Sequence, residues 1–405
     1  MNCANFGNTI AKLRKKAGLT QKQLADKLNV SDKAVSKWEN GGGYPEITLL
    51  PLLSEVLGIS IDGLLKSESQ GIAIAGNILV DIVNIIEKYP EKSMLANVLE
   101  SDNAVGGCVP NTIIDIAKID PDIFLSAIGK IGNDENGRYV LSQFKKYGID
   151  TSQVKIDNGV TTSVSNVMTE KYTGTRTFFY SSGANSSFSA DDIDIDSLDC
   201  KIFHIGYILL LDALDAEDAE FGTKMARLLH DISKKGIKTS IDVVSEEGNR
   251  FKDKIIPALR QCDYAIMNEI ESCRVTGLSP RSEDGSIHFE NIKTTMEEFI
   301  NYGVREKVIV HCSEAGFIMD RNKNFICVPS LDLPDGYIKG SVGAGDAFAA
   351  ACLYGIYNNY DDEKLLEFAA AAAACNLSAP DSVSGMKNKS EIEKLNNTYK
   401  RRILQ

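Results

Sequence analysis

Gly340-Ser341-Val342-Gly343-Ala344-Gly345-Asp346 runs directly into an apolar, helix-patterned stretch at 347–357. Small residues let the backbone pass close to a ligand, and successive N–H groups at a helix start converge on an anion. An aspartate at the same point can accept a proton from a hydroxyl lying beside that anion. Transfer of a phosphoryl group needs this pairing, stabilised phosphate charge together with a base that holds the attacking oxygen in line. The stretch is not a Walker A loop, because no Gly-Lys-Ser/Thr follows.

Outward from this loop the chain alternates between strand and helix patterns. Apolar, β-rich runs lie at 72–75, 123–127, 202–205, 239–243, 264–267 and 308–311, with helical patterns between them at 111–118, 219–234 and 295–302. That alternation predicts a parallel sheet wrapped by helices, an α/β fold. The stretch 161–180 differs. Two alternating runs flank Tyr172-Thr173-Gly174-Thr175, which predicts an antiparallel hairpin placed to act as a lid.

Residues 5–66 have another texture. Ile10, Leu13 and Ala17 mark one apolar helical face, and Gly18 ends it. Thr20 is an N-cap for a helix over 21–28, and a turn at Asn29-Val30-Ser31 leads into a helix over 32–39 capped by Ser31. Further apolar helices are predicted at 47–57 and 61–65. The second helix of the pair would present Asp32, Lys33, Ser36 and Lys37 outward and pack through Ala34, Val35 and Trp38. Gln21, opening the preceding helix, would meet a phosphate through its amide. The boundaries follow: a helical head at 1–66, a polar linker at 67–71, and an α/β body at 72–405.

The totals agree with a two-part protein of 405 residues, 43% hydrophobic and 25% charged. The net charge of −12 is unevenly spread. Residues 1–66 carry 9 basic and 6 acidic side chains, whereas the remainder carries 35 and 50. A mildly basic head on an acidic body suits nucleic-acid contact by the head. Nine cysteines without a CxxC pair, and four histidines with none at i,i+4, exclude a disulfide framework and a zinc signature. No apolar stretch reaches the roughly 20 residues of a bilayer helix, and no secretory signal opens the chain. A cytoplasmic location is expected.

Two family resemblances sharpen this reading. Leu13-Arg14, Leu19-Thr20-Gln21, Leu24-Ala25, Ala34-Val35-Ser36-Lys37-Trp38-Glu39, Pro45 and the run 49–57 resemble the Xre/Cro–C1-type helix-turn-helix family, which implies binding of double-stranded DNA. The body resembles the ribokinase (PfkB) family of carbohydrate kinases. Gly343-Ala344-Gly345-Asp346 with Phe348 matches that family's second signature, and Gly106-Gly107-Cys108-Val109-Pro110-Asn111 its first. Asn268-Glu269-Ile270-Glu271 resembles its NxxE motif, and Gly76-Asn77-Ile78-Leu79-Val80-Asp81 the strand whose final aspartate binds substrate hydroxyls. The segments 129–137 and Gly183-Ala184-Asn185 follow in the family's order.

The resemblance implies a ribokinase-like sandwich with a small β lid and an ATP-dependent transfer to a hydroxyl of a sugar, polyol or nucleoside. Asp346 is then the base, with the N–H groups of Gly343, Ala344 and Gly345 as the anion hole. Asp81, Gly107 and Asn111 hold the substrate, and Asn268 and Glu271 position Mg-ATP, Glu271 reaching Mg2+ through water. On the head, Gln21, Lys33, Ser36 and Lys37 contact DNA. Gly340 and Ser341 replace the aspartate and threonine that many relatives carry before this motif. In the other reading, the protein is a transcriptional regulator whose kinase-like body senses a sugar or nucleotide without turnover. Pairing of lids and of DNA-binding heads implies a homodimer.

Overall fold

The computed structural model describes residues 3–59, 61, 64, 71–246, 248 and 250–404. The chain divides into two compact units, Met1–Gln70 and Gly71–Gln405. The linker expected at 67–71 lies outside the described residues except for Gly71. The helix expected at 61–65 does too, except for Ile61 and Leu64.

In the first unit, helices span Cys3–Lys16, Gln21–Leu28, Asp32–Glu39 and Leu50–Leu57. The expected caps are present. Thr20 Oγ1 accepts the Gln23 N–H while Gln23 Oε1 accepts the Thr20 N–H, and Ser31 Oγ accepts the Ala34 N–H. Asn29, left-handed at φ 54°, turns the chain between the two middle helices. The helix expected over 47–57 begins as a 3-10 turn at Ile47–Leu49. Phe6, Ile10, Leu24, Leu28, Val35 and Leu53 close the core with Trp38.

Buried beside that core, Arg14 Nε donates to Glu39 Oε1 at 2.6 Å and Arg14 Nη2 to Glu39 Oε2 at 2.9 Å. Gln21 Nε2 adds a third bond to Glu39 Oε2 at 2.7 Å. Burial pushes the Glu39 pKa up, but Arg14 and Gln21 outweigh it and hold the carboxyl below its usual range. The same hydrogen bond raises the Arg14 pKa. The forked geometry ties the first helix to the third across the fold.

The second unit is built on a nine-stranded sheet. Its strands are β1 (Ile72–Gly76), β4 (Leu125–Gly132), β5 (Asp150–Asp157), β8 (Ile202–Ile208), β11 (Lys238–Val243), β12 (Tyr264–Asn268), β13 (Lys307–His311), β14 (Ala315–Asp320) and β15 (Phe325–Pro329). Their order is β15-β14-β13-β12-β11-β8-β1-β4-β5, parallel from β13 to β5, with β14 and β15 antiparallel at one edge. The strand period of two divides the interior into two cores. Ile72 and Ile74 of β1 pack with the helices Cys108–Ile119, Ala344–Tyr357 and Asp362–Leu377. Ala73 and Ala75 face Lys224–Lys234, Phe251–Leu259 and Phe289–Tyr302. Helices therefore cover both faces.

A second sheet of four strands, β3-β2-β6-β7, comprises β2 (Leu79–Ile86), β3 (Val98–Gly106), β6 (Ser163–Glu170) and β7 (Arg176–Ser181). The expected hairpin is β6–β7, Ser165 opposite Tyr180. It supplies only half of this sheet, because β2 and β3 join it. The segment 76–81, read as one strand, is split. The N–H of Ile78 goes to Asn185 Oδ1 and the carbonyl of Asn77 to the Val109 N–H, so the ladder breaks between β1 and β2. The helix expected at 219–234 begins at Lys224, because β9 (Glu217–Asp218) and β10 (Gly222–Thr223) pair first and Thr223 caps it.

Trp38 is the chain's single tryptophan and is buried in the head, so its fluorescence reports that unit alone. Glu39→Ala leaves the Arg14 guanidinium without its carboxylate and is expected to destabilise the head by about 2–3 kcal/mol. The measurement is urea unfolding of the full chain followed at Trp38. An unchanged midpoint would refute the pair's stabilising role.

Candidate active site

The C-terminal ends of parallel strands and the starts of the helices after them gather polar groups at one edge of a sheet. In the body, the starts of three helices and the ends of β8 and β11 do this. The helix Ala344–Tyr357 starts from Gly343, which is left-handed at φ 76°, and a Cβ there would lie 2.6 Å from the Ser382 carbonyl oxygen. Only glycine fits both demands. The first turn thus opens with free space over Gly343–Gly345 and carries Asp346 into the interior, 7% exposed.

The helix Cys108–Ile119 starts the same way from Gly107, at φ 87°, where a Cβ would strike the Asn77 carbonyl oxygen at 2.7 Å. Its first turn brings Asn111 to the same point. Asn111 Nδ2 donates to Asp346 Oδ2 at 2.9 Å across 235 residues of sequence. Asn111 Oδ1 is buried and has no protein partner.

Two residues that no motif singled out complete the surroundings of Asp346. Tyr207, at the end of β8, donates its hydroxyl to Asp346, 3.0 Å from each carboxylate oxygen. Its own N–H donates to Asp242 Oδ1 at 2.6 Å, at the end of β11. Asp242 Oδ2 in turn receives the Cys108 thiol at 3.6 Å and lies 3.3 Å from His204 Nε2, while His204 Nδ1 bonds Ser240. The donor atoms of Cys108, His204 and Asp242 cluster within 4.8 Å. Their hydrogen bonds to one another account for that clustering. The one available signal for Asp242 was an acid at the C-terminal end of a parallel strand; Tyr207 offered none.

Asn268 and Glu271 form a capping box at the start of Glu269–Thr276. Asn268 Oδ1 accepts the Glu271 N–H at 2.8 Å, and Glu271 Oε2 accepts the Asn268 N–H at 3.1 Å. Ser245 donates to Glu271 Oε1 at 2.7 Å. Both carboxylates are shifted. Burial first, then the charges of Asp242 and Glu271, raise Asp346 to about 7 against the hydrogen bonds from Asn111 and Tyr207. Burial raises Glu271 to about 7 against Ser245 and the Asn268 N–H.

Two adjoining cavities share His311 and Gly345. One, of about 160 Å³, is bordered by Tyr207, Asp242, Asn268, Glu271, Gly343 and Asp346. The other, of about 360 Å³, is mainly apolar, with Leu331, Leu333, Ile338, Phe348, Ala370 and Leu377 in its walls. His311 packs on Phe348 with the rings tilted by 34° and their centroids 4.8 Å apart, and burial lowers its pKa to about 4, so the ring is neutral at pH 7. The polar cavity suits phosphate groups with a hydrated divalent cation beside Glu271, and the apolar one suits a flat heterocycle.

Asp81 is not among these walls. It stands on β2 in the four-stranded sheet, between Ala104 and Ser165, and burial raises its pKa to about 7 against Ser165 and the charge of Arg176. Asn185 is fully buried, its Nδ2 donating to Asn77 Oδ1 at 2.6 Å. Gln21 is committed to Glu39 through Nε2, and Ser36 Oγ accepts from Asn40 Nδ2 at 3.3 Å. Lys33 and Lys37 are exposed. Glu39, at the end of the same helix, is buried under Arg14.

Residues 70–389 match the model of the pfkB family of carbohydrate kinases, and residues 10–64 match a helix-turn-helix model. The chain is 28% identical over 277 residues to a 5-dehydro-2-deoxygluconokinase of Clostridium perfringens, covering 67% of this chain and 77% of that protein. The head is 44% identical over 63 residues to the HTH-type transcriptional activator BcrR of Enterococcus faecalis, 16% of this chain and 31% of that one. Among solved structures, a putative ribokinase II of E. coli in complex with ATP and Mg2+ superposes with a TM-score of 0.64 at 20% identity, over 81% of this chain and 99% of that one. With four fifths of its length in one family model and its signature residues converging on a single buried carboxylate, the chain belongs to the pfkB family of carbohydrate kinases and carries a helix-turn-helix domain at its N-terminal end.

Proposed function

We propose that the protein transfers the γ-phosphoryl group of ATP to a hydroxyl of a sugar or sugar-like molecule, with Asp346 as the base. The observation that carries this reading is the Asn111–Asp346 hydrogen bond, which joins the family's two signatures at one buried carboxylate beside an open helix start. Asp346 takes the proton of the attacking hydroxyl. The N–H groups of Gly343, Ala344 and Gly345 receive the negative charge of the transferred group, as the start of a helix favours. Asn111 Oδ1 and Gly107 meet the acceptor, and Asp81 holds its hydroxyls from the four-stranded sheet.

The apolar cavity beside His311 and Phe348 takes the adenine, and the polar one the phosphates. Asn268 and Glu271 position Mg2+ through water, since their first bonds go to the capping box and Ser245. The cation, when bound, screens the phosphate charge. Nine free cysteines and no helix, among the described residues, long and apolar enough to cross a membrane favour a cytoplasmic protein.

ADP release with MgATP across a panel of sugars, polyols and nucleosides tests the activity. Asp346→Asn is expected to lower turnover by about 10²–10⁴-fold. A base of pKa about 7 must be ionised to act, so kcat/KM should rise with pH through about 7 and level off above it. Turnover retained by Asp346→Asn, or a flat profile between pH 5 and 8, would refute the assignment.

A second reading, a regulator that senses a ligand without turnover, is favoured by the head. Lys33 and Lys37 lie exposed on the helix Asp32–Glu39, and the acid at its end is buried. Removing both lysines should weaken binding to a random-sequence duplex and reduce the slope of log K against log salt by about one per lysine. An unchanged slope in a filter-binding titration would argue against this helix as the DNA contact.

The same proposal includes a homodimer through the four-stranded sheet. Its edge strands expose Phe178 (56%) and Phe179 (54%) on β7 and Val98 (51%) on β3, unusual for a sheet edge left in water. Sedimentation velocity of the Phe178→Glu, Phe179→Glu variant should give a monomer where the parent chain gives a dimer. A parent chain that sediments as a monomer at working concentration would remove the idea.

A further inference from the structure

The base is not held by the family's signature residues alone. Cys108 and Asn111 stand on one helical turn. Cys108 reaches Asp242, Asp242 takes the Tyr207 N–H, the Tyr207 hydroxyl reaches Asp346, and Asp346 takes Asn111 Nδ2. The bonds close a ring through the helices Cys108–Ile119 and Ala344–Tyr357 and the ends of β8 and β11. Within that ring, Tyr207 has a conformation that a bulky residue rarely adopts, left-handed at φ 61°. Such strain persists only where the surroundings enforce it, here by the short bond from its N–H to Asp242. The strained turn aims the phenol into the polar cavity, equidistant from both oxygens of Asp346.

We infer that Tyr207 is a positioning residue for the transfer: its hydroxyl, donated across both oxygens of Asp346, keeps that carboxylate charged and in one orientation for the incoming hydroxyl. The need for such a donor follows from what else faces Asp346. Asp242 from β11 and Glu271 from the helix Glu269–Thr276 oppose its charge. Cys108 and Asp115 from the helix Cys108–Ile119, both raised by burial, carry no positive charge in either form, and His311 from β13, lowered by burial to about 4, brings no cation at neutral pH. Among the described residues, the side-chain donors to Asp346 are the Asn111 amide and the Tyr207 hydroxyl. With the phenol removed, burial and like charge act on the carboxylate with a single opposing bond.

This inference rests on Asp346 as the base, and its test does not need the acceptor. Full-length protein labelled with 13Cγ-aspartate and free of nucleotide is titrated between pH 4 and 9; the resonance missing from Asp346→Asn belongs to Asp346. Tyr207→Phe should raise its midpoint by about one pH unit relative to the parent. Site-specific 3-fluorotyrosine at position 207, a stronger donor of the same shape, should lower it, which keeps the test open if the phenylalanine variant fails to fold. With an acceptor from the panel, the acid limb of kcat/KM moves with the midpoint. Coincident midpoints in the parent and both variants would overturn the inference, as would a rate that drops equally at every pH while the limb stays in place. If no acceptor is found, the kinase reading fails on its own and the titration still decides the role of Tyr207.

Discussion

The hydrogen bond between Asn111 and Asp346 is the constraint around which the body is organised. It joins the first turns of two helices that pack on the same face of the nine-stranded sheet, and each turn owes its shape to a left-handed glycine, Gly107 and Gly343. A buried carboxylate is costly unless hydrogen-bonded. Asp346 therefore depends on both helices arriving in register, and the parallel strands β1, β8 and β11 set that register. Tyr207 and Asp242, at the ends of β8 and β11, extend the same network until it closes on Cys108.

Concentrating acids in one place has an electrostatic consequence. Asp346 and Glu271, which border the same cavity, are each raised to about 7, with burial as the first cause in both. A site holding two carboxylates near their titration point at neutral pH favours cations and hydroxyl donors. Its apolar neighbour, floored by alanines of the helix Asp362–Leu377 and walled by Phe348, has the opposite character. The two cavities meet at Gly345 and His311, so a ligand spanning both would be apolar at one end and heavily charged at the other.

The helical head solves a similar problem on a smaller scale. One acid, Glu39, is taken inside and satisfied by the Arg14 fork and the Gln21 amide. Burying it ties the first helix to the third and removes a negative charge from the face where Lys33 and Lys37 are exposed.

Local chemistry made much of this legible from residue types alone. Caps at Thr20 and Ser31, glycines before Ala344 and Cys108, and the alternation of apolar runs with helical periods each depend on neighbours a few residues away, and each is written in the chain. The family signatures likewise lie in short continuous stretches. What the tertiary structure alone decided are relations across hundreds of residues. Among these are the partition of β1 between two cores, the transfer of Asp81 to a second sheet, the burial of Glu39 and the arrival of Tyr207 over Asp346. A tyrosine at the end of an apolar strand carries no local mark of its role, because that role is created by the strand order, which brings together side chains that the sequence keeps apart.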